Sequence, residues 1–377
     1  MAKLELIATA TFAMEGVVAR ELKELGYTDL TVANNQVSFQ ADERAIAHCN
    51  LWLRVADRLK LVIGRFPATT FEELFAGTKS LPWEAWLPAK ACFPVQGKSV
   101  KSQLFSVSDC QAIVKKAIVE RLKQKYKRRW FPEDGPLFPV EVALLKDTAT
   151  LTIDTSGEAL HKRGYRQLVS QAPLRETMAA GLIALSFWKP DRPFLDPFCG
   201  SGTLPIEAAL IARNIAPGLK RTFTAEQWPR IPKKIWQDLR EEAQAAIDRQ
   251  QEVEIMGTDI DAQILKAARQ NAARADVLND IHFQQMPVRD VRTSRRYGVV
   301  ITNPPYGERL SDQKAVFQLY EELAAALEPL DTWSVYVLTA FDRFEQAFGR
   351  RADRRRKLYN GDLECQYYQY YGPRPPR

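Results

Sequence analysis

The residues with the most evident chemistry are Asn303-Pro304-Pro305-Tyr306, which close the apolar run Gly298 to Thr302. Two consecutive prolines force the backbone away from helix and sheet and leave carbonyls exposed and rigidly held. An amide oxygen, a fixed carbonyl and an aromatic face together suit a planar exocyclic amine. The two acceptors take the amine's two hydrogens and draw its lone pair out of conjugation, while Tyr306 stacks on the ring. The nitrogen is then free to attack an electrophilic carbon in line. No strong general base is needed, because the proton of the alkylated product is acidic.

Two acidic motifs precede it. Asp196-Pro197-Phe198-Cys199-Gly200-Ser201-Gly202-Thr203 follows the apolar Phe194-Leu195 and opens a helical pattern from Leu204 to Arg213. Its glycines let the backbone pass close to a ligand, and a helix start presents free N–H groups. A dinucleotide fingerprint would need a third glycine where Pro205 stands, and a phosphate-cradling Gly-Lys-Ser/Thr is also absent. An acidic residue ahead of the turn suits a ligand with positive charge. Gly257-Thr258-Asp259-Ile260-Asp261 follows a second apolar run, Glu254-Ile255-Met256. Asp259 is placed to accept from ribose hydroxyls, while Asp261 is equally well read as a plain N-cap. Asp290, after Ile281 to Gln285, either receives an adenine amino group or is an ordinary loop carboxylate.

These motifs need a scaffold that delivers three strand ends to one place. After about residue 165 short apolar runs, including Val299-Val300-Ile301 and Val335 to Leu338, each lead into helical periodicity. Strands alternating with helices imply right-handed crossovers and a largely parallel, doubly wound sheet. A helix from Pro173 to Trp188 is expected ahead of it. Pro229 to Pro232 reads as a surface excursion, and Tyr367 to Tyr371 as a final strand. The first 60 residues read as a small α+β unit: a strand at Leu4 to Ala10, a helix ending at Gly26, a strand at Gln36 to Gln40 and a helix over Ala45 to Leu59. Thr70-Phe71-Glu72-Glu73 is a capping box. A helix opens at Ser108-Asp109 with Ile113, Ala117, Ile118 and Leu122 as its apolar stripe, and Val140–Leu144 and Thr150–Asp154 read as a hairpin around Lys146-Asp147.

Bulk properties narrow the class. The 377 residues are 46% hydrophobic and 26% charged, which excludes wholesale disorder. No apolar run reaches the roughly 18 residues of a membrane span, and the N-terminus lacks a signal peptide's apolar core. Five cysteines and three histidines, scattered and without Cys-x-x-Cys spacing, offer neither a disulfide framework nor a zinc site, so no metal is expected and the thiols are expected to be reduced, in the cytoplasm. The net charge of +7 is unevenly spread. Lys98 to Trp130 holds ten Lys and Arg against Asp109 and Glu120, His161 to Arg175 holds four against none, and Arg350 to Lys357 holds six against Asp353. The remainder of the chain is net acidic. Basic charge gathered this way is the footprint of a polyanion; solvated helix faces and tails are the plainer alternative.

In this order and spelling, the three motifs, with Thr302 ahead of the third and Gly307-Glu308-Arg309-Leu310 after it, resemble those of class I S-adenosylmethionine-dependent amino-methyltransferases. The whole chain is similar to bacterial 23S rRNA guanine-N2 methyltransferases that carry an N-terminal THUMP domain. The likeness extends to His161-Lys162-Arg163-Gly164-Tyr165-Arg166, to Ala172 through Thr177, to Ile7 through Gly26 and to the basic helix Ser108 to Lys125. It implies a ferredoxin-like α+β domain over 1–60, a THUMP RNA-binding domain over 61–156 and a Rossmann-like class I methyltransferase domain over 157–377. Some enterobacterial relatives fuse a second methyltransferase at the C-terminus, and none is expected in this length. The resemblance implies S-adenosylmethionine around Asp196, Phe198, Gly200, Ser201, Gly202 and Thr203, with its ribose on Asp259 beside Ile260, its adenine on Asp290, and Asn303 at the reacting end. Asn303, Pro304, Pro305 and Tyr306 would then hold the target amine. Structured RNA, 23S rRNA or a large-subunit assembly intermediate, would meet Lys115, Lys116, Lys123, Lys127, Arg128, Arg129, Lys162, Arg163 and Arg166. No membrane and no obligate protein partner is expected.

Two other readings compete. An adenine-N6 methyltransferase on RNA or DNA would use the same Asn-Pro-Pro-Tyr, and a ribosome-assembly factor with a vestigial catalytic domain would use only the RNA-binding part. Cys199 is read as a packing residue, His161 as satisfied or solvated, and Trp83 and Trp86 as packing.

Overall fold

A computed structural model of the chain describes residues 3–166, 174–307 and 313–376. They fall into two compact units. The first comprises Met1–Ala10, Val18–Leu160 and Arg221–Glu242, and the second Thr11–Val17, His161–Lys220 and Ala243–Arg377.

The N-terminal part runs β1 (Leu4–Thr9), α1 (Glu15–Glu24), β2 (Thr31–Ala33), β3 (Gln36–Ala41), α2 (Glu43–Trp52), β4 (Arg58–Pro67), α3 (Phe71–Ser80), β5 (Val95–Val100), α4 (Val107–Tyr126), β6 (Val140–Leu145) and β7 (Thr148–Asp154). Its strands make one seven-stranded sheet in the order β2-β3-β1-β4-β7-β6-β5. β4 pairs β1 on one side and β7 on the other, so the expected boundary at residue 60 falls inside a strand common to both halves. Thr70 and Glu73 form the capping box that starts α3. Lys146 and Asp147, both with positive φ, make the two-residue turn between β6 and β7, the backbone twist that tight hairpins favour. The stripe on α4 is buried through Val114, Ala117, Ile118 and Leu122.

Two expectations fail in this part of the chain. The helix expected over Ala45 to Leu59 stops at Trp52: Leu53 is its C-cap, in extended backbone, and Leu53, Val55 and Ala56 enter the core beyond the helix. The proline-rich segment keeps Pro229 and Pro232 exposed but is anchored in the core at Ile231 and on either side, so it is not a free surface excursion. Trp228 is buried, stacks on Phe138 at 4.8 Å and donates from Nε1 to the Leu137 carbonyl, while Arg230 pairs with Glu43 and lies over Trp86. Residues 221–242 thus complete the core of the first unit, although they lie between two elements of the second.

The rest runs α5 (Glu176–Ala184), β8 (Phe194–Asp196), α6 (Thr203–Ala212), α7 (Lys233–Ala245), β9 (Ile255–Asp259), α8 (Ala262–Arg274), β10 (Ile281–Gln285), β11 (Val299–Thr302), α9 (Gln313–Leu327), β12 (Ser334–Thr339), α10 (Phe344–Phe348), β13 (Arg354–Asn360) and β14 (Leu363–Tyr370). The sheet order is β10-β9-β8-β11-β12-β14-β13. The first five strands are mutually parallel, and β14 runs antiparallel to β12 and to β13. α5 is shorter than expected, and Pro173 lies outside the described residues. The aromatic run is buried sheet, with Tyr367, Tyr368 and Tyr370 inside. From β8 the chain moves outward through β9 to β10, then returns to lay β11 on the other side of β8. That reversal is where an open α/β sheet leaves a crevice at its strands' C-terminal ends.

Candidate functional site

Asp196 is the last residue of β8, Asp259 the last of β9 and Thr302 the last of β11. The topology therefore brings all three motifs to the crevice, where they line a cavity of about 660 Å³. The Asp196 carboxylate is 1% exposed, accepting from Thr302 Oγ1 at 2.6 Å and from the Phe198 backbone N–H at 3.1 Å. Burial pushes its carboxyl up to about 7, and the nearby Asp259 charge adds to this against the pull of the two hydrogen bonds. Asp259 accepts from the Gly200 N–H at 2.9 Å through one oxygen and from the Asp261 N–H at 3.0 Å through the other. Asp261 itself caps α8, accepting from the Gln263 N–H at 2.7 Å, so it is an N-cap.

Gly200 and Gly202 both adopt positive φ. A Cβ on Gly202 would also press on Ala268 and Phe283, at 3.1 and 3.2 Å. Gly202 is the N-cap of α6, so the loop reaches the helix by a path that side chains resist. Gly200, Ser201, Phe198 and Thr203 line the cavity, as does Ile260, which is 68% exposed. Cys199 lines it as well, but burial and the two carboxylates hold its thiol far above its ordinary range, which leaves no thiolate nucleophile.

On the β11 side the tetrapeptide forms the wall. Tyr306 Oη donates to Asn303 Oδ1, and Asn360 Nδ2 reaches Tyr306 Oη at 3.5 Å. Asn303 Oδ1 therefore spends one lone pair on Tyr306 and keeps one for a ligand. The Pro305 carbonyl accepts from Tyr320 Oη at 2.8 Å, whereas among the described residues no donor reaches the Pro304 carbonyl. Burial also raises the Tyr306 phenol, which stays protonated.

Other wall residues lie outside the three motifs: Leu174 and Arg175 from the segment Ala172 to Thr177, Glu322, and Asn360, Gly361 and Leu363 at the tip of the β13–β14 hairpin. The dipeptide Asn360-Gly361 is a hairpin signal that would have located that tip. Asp290 ends a short turn, Val288–Asp290, on the exposed side; Val288 and Arg289 line the cavity and Asp290 does not.

The basic residues divide. Arg163 is 4% exposed with its guanidinium against the fully buried Glu207, which also accepts from Tyr165 Oη at 3.0 Å. Arg166 faces Glu176 at 3.3 Å and donates to the Leu174 carbonyl and Thr203 Oγ1, both at 2.7 Å. The expectation that Arg163 and Arg166 meet RNA is thereby corrected. They are internal counter-charges that tie residues 161–166 to α5 and α6. Lys115 is half-buried on Glu133 and the Phe93 ring, and Lys123 pairs with Glu120. Lys116, Lys127, Arg128, Arg129 and Lys162 are exposed. Burial and the surrounding cations lower His161 to about 4, so it is neutral.

Comparison with known proteins bears on this geometry. Residues 163–369, more than half the chain, match the family described as RMKL-like, methyltransferase domain. The chain belongs to that family. Residues 5–60 match the RlmL ferredoxin-like domain and 68–154 the THUMP domain, so this RMKL-like methyltransferase combines all three. It is 50% identical over 380 residues to "Putative RNA methyltransferase YpsC" of Bacillus subtilis (strain 168), covering 100% of this chain and 98% of that one. It is 33% identical to "Ribosomal RNA large subunit methyltransferase K/L" of Shewanella baltica (strain OS195), covering 97% of this chain but 53% of that protein. Among solved structures, a predicted N6-adenine-specific DNA methylase from Listeria monocytogenes str. 4b F2365 superposes with a TM-score of 0.95 at 54% identity, covering 99% of this chain and 97% of that one. SMU.472, a putative methyltransferase complexed with SAH, gives 0.95 at 48%, covering 100% of both chains. Among the described residues no helix is long and apolar enough to cross a membrane.

Proposed function

We propose that this chain transfers a methyl group from S-adenosylmethionine to the exocyclic amine of a base in structured RNA, with guanine N2 in 23S rRNA as the target that the family resemblance implies. The observation that carries this reading is the meeting of the Asn303–Tyr306 turn with the Asp196 and Asp259 carboxylates in one cavity at the sheet's switch point. The relatives named for RNA and large-subunit rRNA methylation support RNA. The Listeria protein, named for methylation of adenine N6 in DNA, favours adenine N6 as the second reading.

The residues present fit S-adenosylmethionine: Asp196 offers a buried carboxylate to a cation, Asp259 a half-buried one to hydroxyls, and the Gly200–Gly202 loop a close backbone approach. When bound, that group supplies the electrophilic methyl. Asn303 Oδ1 and the Pro304 carbonyl then hold the target amine and align its lone pair, and the Tyr306 ring stacks on the base. The amine cannot reach this cavity within a helix, so the base must be flipped out, at a cost of a few kcal/mol. Residues 1–60 and 61–156 are read as the ferredoxin-like and THUMP modules that capture RNA, 157–377 as the catalytic domain. The direct test is transfer of radiolabelled methyl from S-adenosylmethionine into 23S rRNA from a strain lacking this gene. Incorporation there, and none into parental rRNA, is the expected result; no incorporation would defeat the reading.

Two further outcomes follow from named groups. Asp196 has a folded pKa near 7 against an ordinary 3.8. Between those values the folded chain binds the extra proton, so Asp196 makes stability fall as pH rises from about 4 to 7; above 7 it is ionised in both states and adds no further pH dependence. A cationic ligand favours the carboxylate, so its binding releases a proton below pH 7. Affinity for S-adenosylmethionine should thus rise up to about tenfold per pH unit below 7 and level off above it. Calorimetry on Asp196→Asn should show that slope gone; an unchanged slope would remove Asp196 from the cofactor.

The remaining exposed cations give the second outcome. Removing Lys127, Arg128 and Arg129 together should flatten the plot of log affinity for rRNA against log salt by about 2 to 3, whereas Lys115→Ala and Lys123→Ala, whose charges are internally paired, should barely move it. Filter binding across a salt series distinguishes the two sets, and equal slopes for all would mean the contact surface lies elsewhere.

A further inference from the structure

Tyr320 lies on α9 and is fully buried among Phe341 and Phe344, with ring centroids 5.5 and 5.0 Å away. Its hydroxyl meets the Pro305 carbonyl at 2.8 Å and Thr339 Oγ1 at 2.8 Å. Thr339 Oγ1 in turn meets the Phe341 N–H at 3.0 Å. Backbone groups at the two ends settle the direction of this chain. A carbonyl only accepts, so Tyr320 donates to Pro305; its proton is then committed, so it accepts from the Thr339 hydroxyl; and Thr339 accepts from Phe341.

The tetrapeptide has few other constraints to share. The proline rings lock φ at 304 and 305, and the following prolines restrict ψ at Asn303 and Pro304. The soft torsion is ψ of Pro305, which decides where Tyr306 goes, and Tyr306 in turn holds the Asn303 amide. We propose that Tyr320, oriented by Thr339, is a positioning residue for methyl transfer: it fixes the Pro305 peptide and so sets the Tyr306 ring and the Asn303 oxygen against the target base. This rests on the assignment of Asn303 to Tyr306 as the amine-holding turn.

The test compares Tyr320→Phe, Thr339→Val, Thr339→Ser and Asn303→Ala on rRNA from a strain lacking the gene. Tyr320→Phe keeps the ring and should lower kcat at saturating RNA by roughly 10- to 100-fold, the scale of a small misplacement of reacting groups. Its S-adenosylmethionine affinity should stay within twofold of wild type, because Asp196 and Asp259 are untouched. Thr339→Val should reproduce part of the loss, and Thr339→Ser, which keeps the hydroxyl, should stay close to wild type. Tyr320→Phe with normal cofactor affinity and wild-type kcat, alongside an inactive Asn303→Ala, overturns the proposal and leaves the site reading standing. An active Asn303→Ala overturns the site reading instead. Should Tyr320→Phe not fold, a kcat of Thr339→Val equal to that of Thr339→Ser overturns the proposal.

Discussion

Asn303→Ala is expected to lower methyl transfer by about 10²–10³-fold, the scale seen when one preorganised hydrogen-bonding group is removed from a reacting centre. Affinity for S-adenosylmethionine should change little. The reason lies in how the amide is held: its oxygen accepts from Tyr306 and keeps a lone pair facing the cavity. That interaction matters most as the amine's nitrogen gains positive charge, so its loss should appear in kcat rather than in ground-state binding. Single-turnover rates at saturating RNA, paired with calorimetry, separate the two quantities. Wild-type turnover would place the chemistry elsewhere, and a parallel loss of cofactor binding would make Asn303 a structural residue.

Arg163→Met should be strongly destabilising, by about 3–5 kcal/mol. Glu207 has no solvent access, and its charge is balanced by the Arg163 guanidinium and the Tyr165 hydroxyl. Removing the arginine leaves the buried carboxylate without its adjacent guanidinium, with the Tyr165 hydroxyl as its hydrogen-bond donor. The expected readouts are a large fall in the denaturant midpoint and an unchanged salt dependence of RNA binding. Replacing Glu207 by Gln in the same chain should recover part of the loss, since the stranded charge is gone. A stable Arg163→Met with a flattened salt slope would restore the RNA-contact reading that the burial of Arg163 opposes.

Arg163 also marks where the sequence is opaque. A run such as His161 to Arg175 displays its cations and hides their partners, because Glu207 lies some forty residues on and Glu176 just beyond the run's end. The same blindness applies to Lys115 and Lys123: Glu120 is outnumbered inside a window that reads as strongly basic, and Glu133 lies just past its end. β13 is hidden for a related reason. Arg354 to Lys357 looks like a solvated tail, yet an edge strand favours charged side chains because they discourage further pairing, and only Leu358 within it is fully buried.

The parallel strands are legible for the opposite reason. Buried on both faces, they read as uninterrupted apolar runs, such as Val299 to Ile301, and the motifs sit at their ends. Asp196, Asp259 and Asn303 therefore come together as expected, while Asp290, read from its distance after a strand, falls just outside the cavity. Residues 221–242 cannot be placed from sequence at all: nothing local in Trp228 or Arg230 says that Phe138 and Glu43 are their partners.

Methylation of guanine N2 in RNA by the Asn303–Tyr306 turn is tested most directly by mass spectrometry of nucleosides from 23S rRNA, taken from a strain lacking the gene and incubated with this chain and S-adenosylmethionine. N2-methylguanosine is expected to appear with wild type and not with Asn303→Ala. N6-methyladenosine in its place, or no methylated nucleoside, would contradict that chemistry.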